Sequence, residues 1–419
     1  MKIILKGGQR TGKVRMPSSK SQLHRLLICA ALGKSPVRIK FNGLSRDISA
    51  TIDCLNALGA NISIDVFGEI NVKPIDKISD KVCILNCGES GSTLRFLLPM
   101  VGILGAKAIL KMEGRLSKRP LSPFDSELLS HGMIINKDGT NLLCEGKLKN
   151  GIYSLPGNIS SQYISGLLMV LPQLVGNSEI KIYNKIESVG YIKMTENVLM
   201  QSNIKFEKSD NGYYIFGSQK CSLPEYCQAE GDFSSAAFFL CIGAMSKQGI
   251  EVEGISLDSV QGDRKITDVL RQFGVQIIES NSKIIARYNS LHGIIIDASQ
   301  IPDLIPVVSV LAAISEGETR IINAQRLRLK ESDRIESTAM MLRVLGVEVK
   351  TYIDSMIIYG RKKLLGGTID PCGDHRIAMA AAVASCASDS SVIIKNMECV
   401  EKSYPKFWED FLNLSEVET

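Results

Sequence analysis

Six short polar tips in this sequence each run straight into an apolar stretch rich in small residues, and they recur at intervals of about 70 residues. They are Ser18-Ser19-Lys20-Ser21, Glu89-Ser90-Gly91-Ser92, Asn158-Ile159-Ser160-Ser161-Gln162, Gly231-Asp232-Phe233-Ser234-Ser235, Pro302-Asp303 and Gly373-Asp374-His375-Arg376. A helix that starts on such a tip turns unpaired N–H groups and the positive end of its dipole outward, which suits a phosphate or carboxylate. Lys20, Arg25, Arg119, Lys330, Arg334, Arg376 and Lys402 stand on or beside the tips, a distribution that a purely surface role does not produce. Guanidinium forks grip paired oxygens, and hydroxyls flanking a lysine make a phosphate cradle. The chemistry expected is the handling of anions in one large composite site.

The elements that carry the tips are clearest in the third repeat. A strand is expected over 151–155, and a helix over 161–175 packed by Ile164, Leu167, Leu168 and Leu171. A strand over 179–183, a second helix over 191–202 and a hairpin of 204–207 with 213–216 across Asp210-Asn211-Gly212 follow. The unit is βαβαββ. Second helices end on Gly59, Gly132, Gly274 and Gly346, or on Asn203 in the third repeat, residues that tolerate left-handed backbone. The sixth repeat lacks closing strands, while Lys2 to Lys6 has no place in the first, so the N-terminus is expected to complete the C-terminal half. One lobe is then 1–18 with 230–419 and the other 19–229, with hinge crossovers near Ser18 and Glu230 and a cleft between the halves.

At 419 residues the chain exceeds one ordinary core, which agrees with two lobes. The net charge of +5 is mild and its charged residues are interspersed, which argues against a surface that coats a polyanion. Most of the 11 cysteines lie in apolar stretches, as reduced core-filling thiols do. The close pairs Cys83/Cys87 and Cys221/Cys227 have no neighbouring histidine or matching second pair, so no metal is expected. Neither a signal peptide nor a membrane-spanning stretch is present, and the expected location is the cytoplasm.

Pro17-Ser18-Ser19-Lys20-Ser21 with Arg25 resembles the N-terminal signature of the 5-enolpyruvylshikimate-3-phosphate synthases. Leu329-Lys330-Glu331-Ser332-Asp333-Arg334 is similar to their second signature, Gly373-Asp374-His375-Arg376 to the third, and Lys402-Ser403-Tyr404-Pro405 to the C-terminal lysine motif. The resemblance extends over essentially the whole chain. It implies an α/β (α+β) fold, a two-domain inside-out α/β barrel built of six βαβαββ repeats, three per domain. It also implies transfer of the enolpyruvyl group of phosphoenolpyruvate to the 5-hydroxyl of shikimate 3-phosphate, through a tetrahedral intermediate and with release of phosphate. No metal, nucleotide or organic cofactor is implied. Two multiply charged substrates need many cations in a closed space, where water screens them less.

By that resemblance Lys20, Ser21, Arg25 and Lys330 hold shikimate 3-phosphate, Ser160, Ser161 and Gln162 hold its phosphate, and Ser188 and Tyr191 form a further wall. Arg119, Arg334, Arg376, His375 and Lys402 receive phosphoenolpyruvate, which Lys20 and Gln162 also reach, and Gly91 lets backbone approach it. A β-carbon at Gly91 is expected to crowd that ligand. Asp303 matches the catalytic aspartate that accepts the hydroxyl proton, Glu331 is the candidate for proton traffic at the methylene carbon, and Lys20 is the third candidate. Taken alone, Lys20 reads as solvated, Asp303 as a helix cap and Tyr191 as core packing. Glu89 departs from the Asn-Ala-Gly-Thr element of many relatives and is expected to bond a nearby cation.

Two rivals are weaker. The UDP-N-acetylglucosamine enolpyruvyltransferases usually carry a reactive cysteine before their Arg-Pro, whereas this loop reads Glu113-Gly114-Arg115-Leu116-Ser117-Lys118-Arg119. An RNA-binding module is disfavoured by a single tryptophan and by the lack of a basic strip interleaved with aromatics. The expected partners are therefore the two small-molecule substrates, with no nucleic acid and no membrane, and the protein is taken as a monomer.

Overall fold

In a computed structural model, which describes residues 1–417, the tips lead into helices α1 (Lys20–Ala31), α3 (Gly91–Leu104), α5 (Ser161–Val170), α7 (Phe233–Gly243), α9 (Ile305–Ala312) and α11 (His375–Ser385). Each is followed by a second helix: α2 (Arg46–Ala57), α4 (Phe124–Ser130), α6 (Val189–Gln201), α8 (Ile266–Phe273), α10 (Arg334–Val344) and α12 (Phe407–Leu412). The chain divides into one unit of Met1–Ser19 with the segment from Glu230 onward, and another of Lys20–Ala229. Each has its own apolar core.

Each repeat builds one sheet. In the third, Ile152–Pro156 runs parallel to Ser178–Tyr183, which pairs antiparallel with Gly212–Ile215, itself antiparallel to Phe206–Ser209. Repeats two and five share this order. Repeats one and four obtain their first strand from elsewhere in the chain. Tyr226–Gln228 lies parallel to Val37–Lys40, and Arg10–Arg15 lies parallel to Ile250–Glu253. The sixth sheet is Gly367–Ile369, Val392–Lys395 and, antiparallel to the latter, Lys2–Leu5. A short strand absent from the sequence reading, Ser415–Glu416, adds to Arg10 and Thr11.

Burial follows from composition. Helix α9 is buried at all its positions and α11 likewise, as expected of helices apolar around their whole circumference. The strands alternate instead, as in Val37–Lys40, with one face on the helices and the other exposed. Helices inside and sheets outside are what the inside-out barrel requires. The second helices stop on left-handed residues, with φ of 104° at Gly59, 99° at Gly132 and 56° at Asn203.

Two boundaries differ from expectation for physical reasons. Pro172 lacks the N–H that would continue α5, so the helix gives way to a 3-10 turn at Leu171–Gln173. Helix α9 starts at Ile305 after Leu304 with no side-chain cap, so Asp303 is not the cap its Pro-Asp context suggested. Ion pairs claim its carboxylate instead.

Candidate active site

In the Lys20–Ala229 unit, the N-terminal ends of the tip helices are cross-linked by buried polar side chains. Lys20 opens α1 and its Nζ lies 2.8 Å from Asp47 Oδ2 on α2. One helical turn on, Arg25 is 2 % exposed and stacks on the Phe96 ring. Its Nε donates to Thr195 Oγ1 at 2.7 Å, one terminal nitrogen to Ser21 O at 2.6 Å, and the other to Tyr191 O at 2.9 Å and Ser165 Oγ at 3.3 Å. Arg25 thus clamps α1, α5 and α6 together. Burial lowers its basicity to about 10 while leaving it charged. Tyr191 is half-buried and not part of the apolar core, which corrects its core-packing reading. Ser188 is buried in the left-handed region just before α6.

A second cluster surrounds the start of α3. Ser90 caps it, accepting from Thr93 N at 3.2 Å. A β-carbon built on Gly91 would stand 2.7 Å from an Arg95 terminal nitrogen and 2.9 Å from one of Arg119. Two guanidinium groups pack on the glycine, so an added methyl would push them aside, where the sequence reading had placed only the ligand. Arg95 donates to Gln162 Oε1 at 3.2 Å and Pro120 O at 2.7 Å, and Gln162 Nε2 donates to Ser92 Oγ at 2.9 Å. Ser160 accepts from Gln162 N at 3.3 Å to cap α5, which leaves its hydroxyl proton as a donor, and Ser161 is buried at the helix start. Glu89 lies against Gly114, where an added β-carbon would collide with its carboxylate.

In the other unit the central feature is a carboxylate ringed by cations. Asp303 Oδ1 is 2.6 Å from an Arg334 terminal nitrogen and 3.4 Å from Lys330 Nζ, and Oδ2 is 3.2 Å from Arg376. Arg334 is 1 % exposed and also donates to Glu331 Oε2 at 2.8 Å and Asp374 Oδ2 at 2.8 Å. Asp374 caps α11 through Arg376 N at 3.0 Å. His375 and Lys402 are both buried, His375 with Nδ1 3.7 Å from Asp374 Oδ1. Burial draws the Lys330 ammonium down to about 8, with Asp303 opposing and Arg326 and Arg334 adding to the fall. Fixed cations around a carboxylate, with a lysine that releases its proton near neutrality, can bind anions and move protons.

The family model described as EPSP synthase (3-phosphoshikimate 1-carboxyvinyltransferase) matches residues 4–411. A 3-phosphoshikimate 1-carboxyvinyltransferase of Clostridium acetobutylicum is 42% identical over 96% of this chain and 95% of its own length. One from Clostridium perfringens is 40% identical over 99% of this chain and 98% of its own. The chain belongs to the EPSP synthase family. The fold agrees with that of EPSP synthase from Acinetobacter baumannii, with a TM-score of 0.79 at 24% identity over 99% and 98% of the two chains. The enolpyruvyl transferase NikO from Streptomyces tendae superposes with a TM-score of 0.80 at 17% identity over 99% and 97%.

In this EPSP synthase family chain the Lys20–Ala229 unit groups Lys20, Ser21 and Arg25 on α1 and Gly91, Arg119 and Gln162 around α3, and the other unit, by itself, groups Asp303, Lys330, Glu331, Arg334 and Arg376 around α10 and α11. Sequence reading missed Asp47, Arg95 and Asp263. Arg95 stands one helical turn after Gly91, a spacing that places both on one helix face and was available as a signal. Asp47 and Asp263 become significant only through partners distant in sequence. Among the described residues no group of three or more His, Cys, Asp and Glu could hold a metal ion, and no helix is long and apolar enough to cross a membrane.

Proposed function

We propose that this chain transfers the enolpyruvyl group of phosphoenolpyruvate to the 5-hydroxyl of shikimate 3-phosphate and releases inorganic phosphate, a step toward chorismate and the aromatic amino acids. The observation that carries the reading is Asp303, held by Lys330, Arg334 and Arg376 in a chain whose family is defined by this activity. The hydroxyl oxygen adds to the phosphate-bearing carbon of phosphoenolpyruvate as its proton passes to Asp303, while Glu331 delivers a proton to the methylene carbon. The resulting intermediate then loses phosphate, which takes up the proton held by Asp303, and a methyl proton returns to Glu331 as the double bond is restored. Atoms and charges balance without a metal or organic cofactor.

Lys20, Ser21, Arg25, Lys330, Ser160, Ser161, Gln162, Ser188 and Tyr191 serve shikimate 3-phosphate, with Arg25 fixing the Ser21 and Tyr191 backbone. Arg119 beside Gly91, with Arg334, His375, Arg376 and Lys402, serves phosphoenolpyruvate, and Lys20 and Gln162 assist. The protein works as a cytoplasmic monomer without nucleic acid or membrane partners. Phosphate release assayed with the two substrates is the test. Turnover with a nucleotide sugar as acceptor, and none with shikimate 3-phosphate, would overturn the reading.

A further inference from the structure

Asp263 lies outside every motif, yet it is buried beside the proton-handling residues. It sits in the 3-10 turn Gly262–Lys265 and is 3 % exposed. Gln261 pins this turn to the start of α7, donating to Gly231 O at 2.7 Å and accepting from Phe233 N at 3.0 Å. Ser234 donates to Asp263 Oδ2, while Oδ1 has no hydrogen-bond partner among the described residues. Ser234, which holds this carboxyl, stands at the start of α7, and α7 packs against both α9 and α11, which places Asp263 near Asp303 before α9 and Arg376 of α11; Asp232, the cap of α7, also acts on its charge. On its own turn, Arg264 is directed to Glu279 at 3.9 Å.

The contrast with Asp303 is one of compensation. Asp303 has three cations within 3.4 Å. Asp263 has Arg376 as its cationic neighbour, and its buried Oδ1 accepts no hydrogen bond among the described residues, a costly arrangement for a full charge. Burial and then the Asp303 charge push its carboxyl up to about 6, with Arg376 and the Ser234 hydroxyl pulling back. Two carboxyls in one low-dielectric region titrate as a pair, so the charge on either raises the proton affinity of the other.

We propose that Asp263 is a positioning residue for Asp303: its charge sets how firmly Asp303 holds the proton taken from the shikimate hydroxyl. This deepens the enolpyruvyl-transfer reading and rests on it. With Asp263 ionised, Asp303 is the stronger base. With Asp263 protonated, Asp303 is weaker but still works, because its cations and geometry are unchanged.

The kcat of the whole chain under saturating substrates should therefore fall, as pH drops, in a step near or above pH 6 to a second plateau about three- to tenfold lower. Asp263→Asn should remove the step and hold kcat at the lower plateau across the range. Its melting temperature at pH 8 should match or exceed that of the unmodified protein, since a poorly paired buried charge is gone. Ser234→Ala should move the step to higher pH, and it decides the matter if Asp263→Asn does not fold. Protein labelled with 13C at aspartate carboxyls supplies a readout independent of turnover. A carboxyl that titrates near pH 6, shifts a second aspartate with it and vanishes in Asp263→Asn supports the proposal. A step that persists in Asp263→Asn, or no such carboxyl, overturns it. Absence of turnover in the unmodified protein would instead defeat the enolpyruvyl reading, with the carboxyl titration still deciding the coupling.

Discussion

Lys330 shows how one side chain can set a pH limit. Its ammonium is drawn to about 8, below the ordinary lysine value, chiefly by burial. The folded protein therefore loses this charge as pH rises through 8, while the unfolded chain keeps it to about 10.4. Below 8 the buried ammonium costs stability, and that cost is relieved between those two values. The free protein should show a basic limb in kcat/KM near pH 8, because that ratio reports the uncomplexed enzyme. Lys330→Arg, which cannot deprotonate, should move the limb above pH 9 and lower the plateau about tenfold, since a planar fork does not reproduce the point charge. A limb that stays at pH 8 in that variant would assign it to another group. Gly91→Ala tests a different residue-scale claim. Its methyl would meet the Arg95 and Arg119 guanidinium groups, so KM for phosphoenolpyruvate should rise about tenfold, with stability changed by less than about 1 kcal/mol. Glu89→Gln, in contrast, should leave turnover largely intact, because the amide still fits against Gly114.

At the scale of elements, the tip helices act as brackets for charge. Asp374 is fully buried, caps α11 and receives Arg334 and Ser332, so it joins the α10 and α11 starts. Asp374→Ala removes a cap, worth about 1 kcal/mol, and leaves part of a buried guanidinium uncompensated, worth about 3–5 kcal/mol when one partner of such a pair is deleted. Denaturant melts should show a loss within that range, and a loss below about 1 kcal/mol would mean that Asp303 and Glu331 suffice to hold Arg334. Much of this scale was legible in the sequence. The repeat period located the tips, Gly59, Gly132 and Gly346 located helix ends, and the cations lay where the tips did. Asp303 was legible as a residue but not in its local role, because the ion pairs that displace capping come from residues 27 to 73 positions away. Asp263 and Asp47 were illegible for the same reason: an isolated acid in a turn or a first helical turn announces nothing until its neighbours are folded around it.

At the scale of the whole molecule, the strand exchanges decide which parts of the chain depend on one another. Lys2–Leu5 pairs antiparallel with Val392–Lys395, with Leu5 opposite Val392, both buried. Deleting Met1–Lys6 would expose that edge and remove the burial of Leu5, worth about 1.5–3 kcal/mol, together with a full set of ladder hydrogen bonds. Core residues of the Lys20–Ala229 unit include none from the N-terminal strand. Hydrogen exchange on the shortened chain should accordingly show lost protection at 392–395 and in α11, whose buried face rests on that sheet, while amides of α1, α3 and α5 exchange as before. Ser18 and Ser19 remain in the deletion and keep their pairing with Gly231 and Glu230, so the path of the chain into α1 is preserved. Uniform loss of protection in both units would show instead that the strand supports one cooperative body. Unchanged exchange at 392–395 would show that the parallel pair with Gly367–Ile369 holds that sheet without it.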